Sequence, residues 1–265
     1  MTYLGNGLCE RMAELETAIS AIRQAGNVVM KHYGRVTPSS KADKSLVTKA
    51  DIESENLIKT ILQKKFPDYP ILGEETGLTG QKSDYLWIVD PLDGTTNYTF
   101  RNPFFDISIG LAYKGNPILG AVLFPPQDEL FYAKRGSGAY LNNSKIGVSD
   151  RKEIDDSIIT FCHGRDKDSV RRMIDAFSQL KVINQKVRQL GAAALELCYV
   201  ANGRVDAFFM TGMNPWDVAA GTVILREAGG TATDFQGKAF NMNSHDILGS
   251  NCKIHEGLLN VLKKV

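Results

Sequence analysis

Two textures of hydrophobic patterning run along the chain. Over about residues 10–33, Leu15, Ile19, Ile22, Gly26 and Val29 recur at the spacing of one helical face. The same period returns over 51–66 through Leu57, Ile58, Ile61, Leu62 and Phe66, and Pro67 ends it. Short, dense apolar runs follow. Tyr85-Leu-Trp-Ile-Val-Asp90 reads as a buried strand. So do Phe105 to Tyr113, Pro117 to Phe124 and Glu129 to Lys134, separated by the turn elements Lys114-Gly-Asn-Pro117 and Pro125-Pro126. Such a run predicts an antiparallel meander. Past about residue 155 the pattern alternates. Strands at 157–162, near 183–188 and at 205–210 precede helices near 167–180, about 191–201 and about 215–228. Short strands at 231–235 and 246–250 and a last helix complete it. Alternating layers of helix and sheet are therefore expected, as an α+β half over 1–150 and an α/β half over 151–265 packed into one unit.

Composition narrows the classes. With 43% apolar and 23% charged residues, the 265-residue chain is ordinary for a globular protein with a substantial core. Lys+Arg 31 against Asp+Glu 30 leaves a net charge of +1, and basic pairs such as Lys64-Lys65 and Arg171-Arg172 are scattered. Neither points to a nucleic-acid partner. No apolar run reaches the ~20 residues of a membrane span, and Met1 to Glu14 has no basic stretch leading into an apolar one, so a cytoplasmic location is expected. Cys9, Cys162, Cys198 and Cys252 form no C-x-x-C pair and read as buried thiols in a reducing compartment. His32, His163, His245 and His255 do not have zinc spacing, so any metal must be held by oxygen. Gly136-Ser-Gly138 lacks the third glycine of a dinucleotide loop and reads as a turn. The absence of G-x-x-x-x-G-K-[ST] argues against an NTPase.

The chemistry concentrates in acids. Asp90-Pro-Leu-Asp93-Gly94-Thr95-Thr96 ends an apolar strand in two carboxylates three residues apart. Mg²⁺ is commonly held by a few carboxylates together with water and phosphate oxygens. Pro91 fixes the backbone so that both acids can turn to one point, and Gly94 lets the main chain approach a ligand. A helix starting at Gly94 or Thr95 would offer N–H groups to an anion. The plainer alternative is a turn with Asp93 and Thr95 as caps. Glu74-Glu75 follow the short apolar run Ile71-Leu72-Gly73 and are either site acids or surface charge. Asp51 precedes a helical pattern, where an N-cap is the alternative role. In Asn214-Pro-Trp-Asp217, Asn214 can cap, Pro215 suits the first helical position and Asp217 near the third complements the helix dipole. Trp216 reads as a packing anchor.

Taken together these segments resemble the inositol monophosphatase family, within the lithium-sensitive phosphatase superfamily. The match rests on the D-P-L-D-G-T-T run, Leu46-Val-Thr-Lys-Ala-Asp51, Leu72-Gly-Glu74-Glu75-Thr76, Pro215-Trp-Asp217-Val-Ala-Ala-Gly221 with Glu227-Ala-Gly-Gly230, and Gly191 to Gly203. The resemblance implies a layered α-β-α-β-α sandwich, a homodimer, two or three Mg²⁺ ions per active site and inhibition by Li⁺. It implies one metal held by Glu74, Asp90 and the Leu92 carbonyl, and a second by Asp90, Asp93 and Asp217. Thr95, oriented by Asp51, would work with Glu74 to position and deprotonate the attacking water. The amides of Gly94 and Thr95 would cradle phosphate, with Leu92, Asp93 and Asp217 around it, and Gly191, Ala192 and Ala193 would line the substrate side. Some family members act in transcription, which leaves a non-catalytic binding role as an alternative.

The substrate side departs from the family. Inositol-directed members carry a Glu on the strand before the P-W-D segment, where this chain has Met210, and a thioether is a weak acceptor. Arg188, Arg165 and His163 lie in segments expected near the leaving group. Arginine there suits a second phosphate, as in fructose 1,6-bisphosphate or a nucleotide 3′,5′-bisphosphate; surface ion pairs are the plainer role. Inositol-1-phosphate leads, and histidinol phosphate is a further alternative.

Overall fold

Helix and sheet alternate as five layers, and each layer boundary is explained by what its residues can bury. The structure, a computed structural model, describes residues 5–40 and 46–265, with side chains from residue 13 onward. Helices α1 (Gly5–His32) and α2 (Lys49–Lys65) form the first layer, with β1 (Ser39–Ser40) and β2 (Leu46–Val47) paired antiparallel between them in sequence. The second layer is one sheet built from β3 (Ile71–Gly73), β4 (Gly77–Thr79), β5 (Tyr85–Asp93), β6 (Asp106–Tyr113), β7 (Asn116–Phe124), β8 (Glu129–Lys134), β9 (Ala139–Leu141) and β10 (Ser144–Lys145). Its order is β10-β9-β8-β7-β6-β5-β3-β4, and β5 to β8 make the expected antiparallel meander. Among the described residues of this sheet, only β3 and β5 pair in parallel. The short helix α3 (Thr95–Thr99) follows β5 directly.

The second half supplies β11 (Ile159–His163), α4 (Lys167–Ile183), β12 (Val187–Arg188), α5 (Ala193–Ala201), β13 (Ala207–Thr211), α6 (Pro215–Glu227), β14 (Thr231–Thr233), β15 (Asp246–Ser250) and α7 (His255–Leu262). Its five-stranded sheet has the order β12-β11-β13-β15-β14. Helices α5 and α6 lie between the two sheets, while α4 and α7 cover the far face of the smaller one. This is the layered α-β-α-β-α architecture. Every residue of α5 except Tyr199 is buried, as a helix between two sheets requires. Small residues let α6 approach the large sheet: a Cβ on Gly120 would sit 2.3 Å from the Ala220 carbonyl oxygen.

Several expectations need correction. The apolar pair Val182-Ile183 imitates the start of a strand, yet α4 runs through both and leaves them exposed, so the strand shrinks to Val187–Arg188. The strands β4, β9 and β10 escaped notice because two or three residues cannot display a period of two. Cys162 and Cys198 are buried, but Cys252 is exposed and Cys9 lies outside the residues whose side chains are described. Among the described residues, no helix is long and apolar enough to cross a membrane.

Candidate metal and phosphate site

The site begins where β5 loses its regular pairing. Asp90 pairs with Ser108 and Asp93 with Asp106, and the register shifts between them. Pro91 has no N–H to give the ladder, and such a local irregularity re-aims side chains. Asp90 and Asp93 therefore face one cavity. The chain then turns into α3 through Gly94 at φ +83°, where a Cβ would lie 3.0 Å from the Phe104 carbonyl oxygen and 3.1 Å from that of Gly191. Only glycine fits both the conformation and the space.

Helix α2 braces this strand end from behind. Thr48 is its N-cap and Asp51 the third helical residue, so Asp51 is not itself the cap. Asp51 Oδ2 accepts from the Thr48 amide at 2.8 Å and hydroxyl at 2.6 Å. Its Oδ1 lies 3.3 Å from Thr95 Oγ1, whose proton is shared with the Leu92 carbonyl at 3.0 Å. Capping and orientation are thus one arrangement. Burial raises the Asp51 pKa, partly offset by the Thr48 donors. One turn on, Ser54 Oγ donates to the Pro91 carbonyl at 2.9 Å. Glu74 enters from the turn after β3. Parallel pairing sets Gly73 beside Val89, and the Glu74 amide donates to the Val89 carbonyl at 3.2 Å, which brings Glu74 next to Asp90.

The opposite wall comes from α5, β13 and α6. Pro215 opens α6, and the Asn214 amide donates to Asp217 Oδ2 at 2.6 Å, as the sequence implies. Asp217 is held there facing the acids of β5. Asp93 Oδ2 accepts from the Ala194 amide at 2.9 Å and Asp106 Oδ2 from that of Leu195 at 3.2 Å. Glu196 Oε1 accepts from the amides of Gly191 and Ala192 at 2.9 and 3.3 Å and from the Cys162 thiol at 3.1 Å. Asp106 and Glu196 went unnoticed in the sequence. The available signal was a lone acid inside an otherwise apolar strand or helix, which needs a polar partner when buried.

These walls enclose a cavity of about 720 Å³ lined by Glu74, Asp90, Leu92, Asp93, Gly94, Thr95, Gly191, Ala193 and Asp217. Asp51 stands behind Thr95 and does not line it, and Ala192 is fully buried. The lining also includes His163, Arg165, Met210 and Trp216. Arg188 is absent from it; its guanidinium donates to the carbonyls of Gln185 and Val187. Trp216 serves both roles, lining the cavity and packing on Ile88, Ala112 and Ala219.

Charge crowding follows from this convergence. Burial and then Glu74, Asp93, Asp217 and Asp106 push the Asp90 pKa well above the carboxylate range. Burial raises Asp93 to about 7 and Asp217 to about 8, each with further contributions from neighbouring acids. Among the described residues, no group of three or more His, Cys, Asp or Glu side chains is already closed into a ligand set. The acids instead line one cavity and oppose each other's ionisation. All donors are hard oxygens, and this density of negative charge fits a hard divalent cation.

The layered fold is that of a phosphatase family. A model of the inositol monophosphatase family matches residues 11–265. The chain belongs to the inositol monophosphatase family, whose members are generally Mg²⁺-dependent phosphatases. It is 38% identical to the Nus factor SuhB of Pasteurella multocida over 94% of this chain and 95% of that one. It is also 38% identical to the fructose-1,6-bisphosphatase/inositol-1-monophosphatase of Thermotoga maritima, over 96% and 97%. Among solved structures, the extragenic suppressor protein suhB of Bartonella henselae superposes with a TM-score of 0.90 at 35% identity, covering 95% of this chain and 99% of that one.

Proposed function

We propose that this chain hydrolyses a small phosphate monoester with Mg²⁺, inositol-1-phosphate being the leading substrate. The observation that carries this reading is the meeting of Glu74, Asp90, Asp93 and Asp217, drawn from three separate segments, in one cavity with Thr95. Two or three ions would be held by Glu74, Asp90, the Leu92 carbonyl, Asp93 and Asp217. Bound there, they would neutralise charge spread over the transferring phosphoryl oxygens and lower the pKa of nearby water.

The remaining work belongs to the chain. Glu74 and Thr95 position the attacking water, and Asp51 fixes the direction of the Thr95 hydroxyl. As the oxygen–phosphorus bond forms, the water's proton passes to this carboxylate–hydroxyl set. The bond from phosphorus to the ester oxygen breaks on the opposite side, that oxygen takes a proton from solvent water as it leaves, and the carboxylate–hydroxyl set returns its proton to solvent. The opening of α3 at Gly94 and Thr95 lies against the same cavity and supplies main-chain polarity to the phosphate. Gly191 and Ala193 shape the leaving-group side. No nucleophilic Ser or Cys is required. We include in this reading a cytoplasmic homodimer and competition by Li⁺ at the second metal position.

A second substrate class rests on a specific observation. Met210, Arg165 and His163 also line the cavity, where an arginine suits a second phosphate and Met210 offers little to a ring hydroxyl. The Thermotoga relative's name covers both activities. The test is phosphate release with Mg²⁺ from inositol-1-phosphate, fructose 1,6-bisphosphate, a nucleotide 3′,5′-bisphosphate and histidinol phosphate. Turnover of the first above the others supports the leading substrate, and a bisphosphate preference replaces it. Silence on all four removes the catalytic reading and favours a binding role, as the Nus factor name of other relatives would suit.

A further inference from the structure

The turn that carries Glu74 has an unusual support. Residues 74–76 connect the antiparallel strands β3 and β4, and Gly77 at φ +66° closes the hairpin. The hairpin is the edge of the large sheet, where β4 is held only through β3 and β3 is paired on its other side to β5. Here the carboxylate of Glu55, on α2, reaches into the turn. Its Oε2 accepts from the Glu75 amide at 2.8 Å, and its Oε1 from the Thr76 amide at 3.0 Å and from the Thr76 hydroxyl. Glu55 is buried with 1% exposure. Gly73 leaves the room it needs: a Cβ at Gly73 would lie 2.6 Å from the Glu55 carboxyl carbon. Lys59, one helical turn further, donates to the same Thr76 hydroxyl at 2.8 Å.

From this geometry we infer that Glu55 is a positioning residue for Glu74, and through it for the cation site. Glu74 is pinned on one side by its amide on the Val89 carbonyl and followed on the other by two residues held by Glu55. Asp51, Ser54 and Glu55 share one face of α2, being spaced by three and four residues. Asp51 holds Thr95, Ser54 holds the Pro91 carbonyl, and Glu55 holds the Glu74 turn. One helix thus sets the relative positions of three segments that meet at the site. Partners that orient metal ligands commonly govern affinity by 10- to 100-fold.

The inference rests on the Mg²⁺ site proposed above, and the experiment separates the two. Mg²⁺ binding is measured by titration calorimetry on wild type, Glu55→Gln and Thr76→Val, with thermal unfolding of each without Mg²⁺. If wild type shows no Mg²⁺ binding, the site itself is overturned. If wild type binds, Glu55→Gln is expected to weaken the midpoint by about 10- to 100-fold, because an amide cannot accept all three donors. Thr76→Val, which removes one donor and leaves the Glu55 side chain and the two amides that it accepts in place, is expected to weaken it less. A folded Glu55→Gln protein with the wild-type midpoint overturns the inference. Should that variant fail to fold, an unchanged midpoint in Thr76→Val does so. Loss of thermal stability with Mg²⁺ affinity intact assigns Glu55 a purely structural role and also overturns it.

Discussion

The two walls of the cavity are held in different ways. The wall made by β5, the Glu74 turn and α3 is braced by α2, whose buried polar side chains grip main-chain atoms or the Thr95 hydroxyl. The facing wall, made by the start of α5, β13 and α6, is fixed by carboxylates that accept the amides of its helix starts, Glu196 and Asp217 from within it and Asp93 and Asp106 from the large sheet. Met210 of β13 lines the cavity on this side, joined by His163 and Arg165 from the end of β11, side chains unlike the acids opposite. The difference teaches a division of labour. Substitutions on the braced wall should act on the chemical step, and those at Met210, Arg165 and His163 on which substrate is accepted. Asp217 and Asp93 cross that division, one projecting from each wall.

The largest break is expected from the crossing acids. Asp93→Asn or Asp217→Asn should reduce kcat by about 10²- to 10³-fold, the cost of deleting one preorganised charge-stabilising group. Circular dichroism should show the fold retained. Near-normal turnover in both would erase the comparison. Next comes the cation. At 100 times its Kd, a ligand of the folded state alone adds about 2.7 kcal/mol, read as a rise in Tm. The sign with pH follows from the raised carboxyls. Asp93 and Asp217 hold protons up to about 7 and 8 when folded, against about 4 when unfolded. Without cation their ionisation therefore weakens the fold as pH climbs from about 4 to 8. Mg²⁺ should raise Tm more at pH 8 than at pH 5.5, where protons compete for the same oxygens. An equal rise at both would contradict this.

Gly94→Ala tests the seam between the walls. Left-handed backbone with a Cβ pressed on two carbonyl oxygens should cost about 1–3 kcal/mol in a denaturant midpoint. No loss would mean the walls adjust to each other easily. The smallest effect sharpens selection. Met210→Glu should move the kcat/KM ratio about tenfold toward inositol-1-phosphate over a bisphosphate, roughly 1.4 kcal/mol. Arg165→Ala should raise KM for the bisphosphate alone. Equal changes for both substrates would place these residues outside selection.

Much of this was legible in the chain. The meander of β5 to β8 announced itself through apolar runs and turn residues, and Asn214-Pro215 located the start of α6 because capping is a local matter. Asp90, Asp93 and Glu74 stood out as acids ending apolar strands. Glu55, Asp106 and Glu196 did not, since their partners lie 20 or more residues away or on backbone atoms that sequence does not display. Asp51, Ser54 and Glu55 offered one overlooked sign: three polar residues along the face of α2 that continues into Ile58 and Leu62, where burial asks for apolar side chains. Arg188 shows the converse: its neighbours Gln189 and Leu190 line the cavity, while its own guanidinium is taken up by the carbonyls of Gln185 and Val187.

Asp93 faces the cavity with one carboxylate and accepts the Ala194 amide with the same group. Whatever ion settles on that carboxylate therefore shares an anchor with the segment that borders the leaving group. Linkage then runs in both directions: a ligand that favours one arrangement of the α5 start tightens the ion by the same factor that the ion tightens the ligand. Under the proposed metal site, ion and substrate would be mutual effectors through a single side chain.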